Sequence, residues 1–192
     1  MKLVRSVVLG VTVAAAVLAP TAAEAKSYRH VDATGDMFST TSSTKTFTPA
    51  PDRIVGDIVS TTIRHKSRNV VIKVQYRDLV ANSAIDAHYF VIRTSKMRRD
   101  VSLVSAGSFP AGRVQMTKPN GTKVSCHVGR RIDYSLNTAT VVVPRSCLGR
   151  PRWVKVGMAA AELTGLGSTD PQYVDDAFST GTAGRYSPRV YR

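Results

Sequence analysis

Glutamate is almost missing from this 192-residue chain: Glu24 and Glu162 stand against eleven aspartates. That scarcity weighs against a glycosidase, whose paired carboxylates usually include glutamate. Cysteine is limited to Cys126 and Cys147, too few for a cysteine-rich zinc site or a disulfide-dense scaffold. Aromatic residues make up 7% of the chain and Trp153 is the only tryptophan, so stacking platforms for single-stranded nucleic acid are poorly supplied. The four histidines, His30, His65, His88 and His127, form no His-x-His or His-x-x-x-His pair. No Gly-x-Ser-x-Gly elbow and no glycine-rich nucleotide loop is present. Because catalytic triads are recognised by geometry rather than spacing, an exported hydrolase with an unrecognised site stays open as the alternative to a non-enzymatic module.

Long apolar runs are also lacking. The longest, residues 7–19, covers 13 positions before Pro20, short of the roughly 20 that a spanning helix needs. Lys2 and Arg5 precede it and Ala23-Glu24-Ala25 follows, the order of charge, apolar stretch and small residues found in a secretory signal peptide. The sequence therefore predicts a leader at 1–25, cleavage between Ala25 and Lys26, a secreted product with possible retention at the cell wall, and no membrane span after cleavage. The mass of the exported protein is expected to match a chain starting at Lys26, and an intact leader in that mass would remove the case for export.

Export places Cys126 and Cys147 in an oxidising compartment, where an even count reads as a disulfide. The formal charge is +14, from 27 basic and 13 acidic residues. Removing Lys2, Arg5 and Glu24 leaves 25 basic and 12 acidic residues, or +13. Such a balance attracts polyanions, although it equally describes a well-solvated surface. The basic residues are spread along the chain in short pairs such as Arg98-Arg99 and Arg130-Arg131, so no dedicated nucleic-acid site is indicated. For an exported protein the expected partner is an anionic cell-envelope polymer or a carbohydrate.

Residues 26–52 are rich in Ser, Thr, Asp and Pro and read as an extended arm carrying one short strand. Residues 53–192 read as a single β domain with an irregular tail. Segments 57–64 and 70–76 alternate apolar and polar residues around the turn His65-Lys66-Ser67-Arg68, which predicts a hairpin with one buried and one wet face. Further strands are predicted at 87–94, 101–105, 113–117, 123–128, 132–136, 138–143 and 153–160. Asn120-Gly121 supplies a tight turn. A short helical turn at 159–163 is conceivable from its alanines. Eight or nine strands at hairpin spacing predict an all-β, antiparallel β-sandwich, with an up-and-down barrel as the alternative.

The stretches DATGD at 32–36, GDI at 56–58, QYRDL at 75–79 and VVVPRSCLGRPRWV at 141–154 resemble small secreted actinobacterial β-sandwich proteins. These are mostly uncharacterised and similar in architecture to DOMON-like and family-nine carbohydrate-binding modules. The resemblance implies a two-sheet sandwich that binds sugars, haem or other ligands between or upon its sheets.

Two candidate sites follow from residue type. Asp32, Asp36, Asp57, Asp175 and Asp176 lie in or beside loops that a sandwich could bring together, and loop carboxylates are the ligands calcium prefers. Their alternative role is to cap turns or to pair with arginine. No motif requires a cofactor, and a structural Ca²⁺ is the one ion expected. Arg64, Lys73 and Arg77 fall on the wet face of the first hairpin and form a candidate anion-binding set.

Overall fold

The computed structural model describes residues 27–81, 85–165, 167, 169–182 and 184–192. The expected leader, 1–25, lies outside the described residues. Thirteen strands are present among the described residues: β1 Ser27–Val31, β2 Phe38–Thr40, β3 Thr48–Pro49, β4 Ile58–His65, β5 Asn69–Tyr76, β6 Ile85–Arg93, β7 Arg98–Ser105, β8 Arg113–Thr117, β9 Gly129–Asp133, β10 Thr138–Pro144, β11 Trp153–Leu163, β12 Gln172–Asp176 and β13 Val190–Tyr191. They form two antiparallel sheets. The first has the order β1-β4-β5-β10-β9; the second has the order β3-β2-β12-β11-β6-β7-β8, with β13 added to β11.

Alternation builds the core between them. Ile63, Ile72, Val74 and Val141 from the first sheet meet Phe90, Ile92, Leu103, Val154 and Val156 from the second, and all are buried in one continuous cluster. The predicted hairpin is β4–β5, with the turn closed by the Lys66 N–H donating to the Asn69 carbonyl at 2.8 Å. A bulge interrupts its register between Ile58 and Ser60.

Several elements differ from expectation: the arm at 26–52, expected to carry one short strand, carries β1, β2 and β3, and the strand expected at 132–136 is β9, Gly129–Asp133. The alanines at 159–161 continue β11 as an eleven-residue strand instead of turning into helix. Flanked on both sides by β6 and β12, this segment satisfies its backbone in the ladder, which overrides alanine's helical preference. Residues 172–176, expected to be irregular, form β12. The expected strand 123–128 reduces to a bridge between Lys123 and Thr117. Beyond that bridge the chain leaves β8 and crosses to the first sheet as β9.

That crossing is pinned by the Cys126–Cys147 disulfide, whose Cα atoms lie 6.1 Å apart. Cys147 belongs to a 3₁₀ turn, Arg145–Leu148, that follows β10. Closing a loop of 21 residues stabilises the fold by roughly 3 kcal/mol on a chain-entropy model.

Candidate functional site

Four aspartates converge at one end of the sandwich. Asp32 and Asp36 lie in the β1–β2 loop, Asp57 directly precedes β4, and Asp175 lies within β12. The loop reaches Asp57 through Gly35, whose φ of +79° is a conformation that side chains rarely adopt. The Gly35 N–H donates to Asp57 Oδ2 at 2.8 Å, and Arg77 Nη1 donates to the same oxygen at 2.9 Å. The Ile58 N–H donates to Asp175 Oδ2 at 2.7 Å. One carboxylate oxygen each from Asp36, Asp57 and Asp175 lies within 4.8 Å of the other two.

The remaining oxygens are the unusual feature. Asp57 is fully buried and Asp175 is 4% exposed, yet Oδ1 of each has no hydrogen-bond partner among the described residues. Both oxygens of Asp36 and Oδ2 of Asp32 are likewise buried and unpartnered. Burial raises the Asp32 carboxyl to about 8, with Asp175 and Asp36 pushing the same way. Burial raises Asp175 to about 7, against the pull of the Ile58 N–H. Asp36 is also raised, chiefly by burial. Asp176, grouped with these by sequence, is not part of the trio. Neighbouring strand residues face opposite ways, and its Oδ1 instead accepts the Phe178 N–H at 3.0 Å.

A second cluster occupies the outer face of the first sheet. Register places Arg29, Thr62, Lys73, Thr140 and Arg131 directly opposite one another across all five strands. A shallow cavity of about 390 Å³ follows this row, lined by Arg29, Arg64 and Lys73 together with Ser60, Gln75 and Thr140 among others. No carboxylate lines it, and Arg64 and Lys73 have no salt-bridge partner among the described residues.

Arg77 does not belong to this face. β5 ends at Tyr76, where the chain bends and the Arg77 N–H donates to the Asp57 carbonyl at 2.8 Å, turning the guanidinium to the acidic cluster. Arg29, read only as part of the arm, takes its place. The signal was the alternation of Ser27, Arg29 and Val31 with Tyr28 and His30, which five residues made too short to recognise.

No protein-family model, curated protein or solved structure matches the chain. What it does has to come from these side chains. No helix among the described residues is long and apolar enough to cross a membrane.

Two further buried polar groups lie on the inner faces. Tyr76 Oη and His88 Nδ1 share a hydrogen bond of 2.7 Å, and burial lowers His88 to about 4. Glu162 is held by Arg53, whose Nε donates to Oε2 at 2.8 Å and whose Nη2 donates to Oε1. Asp86 lies opposite Glu162; burial and then the Glu162 charge raise it to about 7, with Arg53 opposing.

Proposed function

We propose that this chain is a secreted, non-enzymatic binding module that holds an anionic polymer of the cell envelope against the outer face of its first sheet. The observation that carries this reading is the cavity lined by Arg29, Arg64 and Lys73 without a carboxylate. Hydroxyl and amide groups from Ser60, Thr62, Gln75 and Thr140 alternate with the cations, so phosphate or carboxylate oxygens would find donors between the charges. The row runs across five strands, a geometry suited to an extended chain rather than a compact molecule.

The test uses inorganic polyphosphate as the probe, titrated calorimetrically into the purified protein at two salt concentrations. The variant R29A/R64A/K73A is expected to bind at least tenfold more weakly, with a salt slope lower by about three, one for each lost contact. The variant K96A/K118A/K123A removes the same charge from exposed positions elsewhere and is expected to stay within about threefold of the parent. Equal weakening in both variants would reduce the groove to diffuse attraction. Binding to neutral dextran as tight as to polyphosphate would replace the anion by a sugar.

A further inference from the structure

The acidic cluster has a charge problem that its protein partners do not solve. Asp36, Asp57 and Asp175 are packed together, and the salt bridge from Arg77 supplies the one cation bonded to any of them among the described residues. His30 Nε2 lies 4.0 Å from Asp32 Oδ1, and the other oxygen, Oδ2, has no partner. A carboxylate oxygen withdrawn from water needs a hydrogen bond or a cation, and five buried oxygens here have no hydrogen bond. We propose that Asp36, Asp57 and Asp175, with Asp32 beside them, form a calcium site that clamps the N-terminal arm to both sheets.

The dimensions suit that ion. Two oxygens on opposite sides of a Ca²⁺, each about 2.4 Å from it, are about 4.8 Å apart, and the three carboxylate oxygens lie within 4.8 Å of one another. Asp32 provides an observation outside the trio: its side chain is 3% exposed and its Oδ2 is buried and unpartnered. All the donors are carboxylate oxygens, with no imidazole or thiolate among them, which selects a hard cation over zinc or copper. Burial leaves little room for the ordered waters that magnesium keeps, so calcium is the better fit.

The placement also gives the ion a role. Asp32 and Asp36 belong to the loop leaving the first sheet for the second, Asp57 leads into β4 of the first sheet, and Asp175 lies in β12 of the second. A single ion would therefore join three segments that are far apart in the chain. This inference is independent of the groove, and each can fail without the other.

The experiment compares the purified, chelator-treated protein with Asp36→Asn. Asp36 is the informative position, because neither of its oxygens bonds to the protein and the change leaves the Arg77–Asp57 pair alone. Calcium alone is titrated calorimetrically, and melting is followed with and without it. One binding event is expected, with melting raised by roughly 5 to 10 °C at a hundredfold excess over Kd. Hydrogen exchange in the 32–37 loop should slow at the same time. Asp36→Asn should melt no lower than the parent in chelator, since it removes a repelling charge, yet lose most of the calcium response. Absence of binding heat, an equal response from Asp36→Asn, or an equal shift from magnesium would each overturn the assignment.

Discussion

Arg145→Ala is expected to destabilise the protein by roughly 2 to 4 kcal/mol, since a buried neutral acceptor left without its donor costs about 1 to 3 kcal/mol and three are affected at once. Arg145 is 8% exposed, and its guanidinium reaches three acceptors. Nε donates to His65 Nε2 at 3.0 Å, Nη1 to the Ser67 carbonyl at 2.8 Å, and Nη2 to the Pro151 carbonyl. His65 in turn uses Nδ1 to reach the Val190 carbonyl at 3.1 Å. One side chain thus joins the β4–β5 turn, the link into β11 and the last strand, two residues from the disulfide. Truncation leaves these acceptors buried without donors, which is worse than never having formed the bonds. Arg145→Lys should recover less than half of the loss, because an ammonium cannot reproduce the planar fork. Urea unfolding is the measurement, and a loss below about 1 kcal/mol would show that water replaces the network.

Acid should weaken the fold through His88. The imidazole stays neutral in the folded protein down to about pH 4, whereas an unfolded chain protonates it near pH 6.5. Between those values the unfolded state binds a proton that the folded state refuses, so the contribution of His88 to stability falls by about 3 kcal/mol from pH 7 to pH 4. Asp86 moves in the opposite sense. It keeps its proton up to about pH 7 when folded, so its contribution is present at low pH and fades as pH rises. The quantity to measure is therefore the stability gap between the parent and His88→Gln at each pH. That gap should shift against the parent by about 3 kcal/mol on going from pH 7 to pH 4. A constant gap would mean that His88 titrates alike in both states.

Much of the architecture could be read from alternation. The β4–β5 hairpin, the strand β10 and the pairing of Cys126 with Cys147 follow from local pattern and from the even cysteine count. Elements whose pairing is decided by distant partners were less legible. β12 is bounded by Gly, Ser, Thr and Pro, and it is a strand because β11 and β2 flank it. With β12 unrecognised, Asp175 and Asp176 were indistinguishable, although a strand must turn them to opposite faces. Arg77 shows the converse error. Period-two counting continued past Tyr76, while the backbone left the sheet there and carried the guanidinium to Asp57. Aspartate-rich loops identified the acidic end of the molecule, but only the packed structure distinguishes oxygens with partners from oxygens without.

The order of strands within the two sheets has a bearing on how copies of this chain behave beside one another. A sheet border offers unpaired backbone groups to any passing strand, and cations or proline there discourage the pairing. β9, on one border of the first sheet, carries Arg130 and Arg131, and β1 on the other carries Arg29. In the second sheet β8 opens with Arg113, and β3 at the opposite border is two residues long and ends in Pro49. Each of the four borders thus repels or blocks its own copy. Part of the chain's positive excess is placed to oppose strand pairing between copies, an effect that a neutralising polymer in the groove would partly cancel along β1.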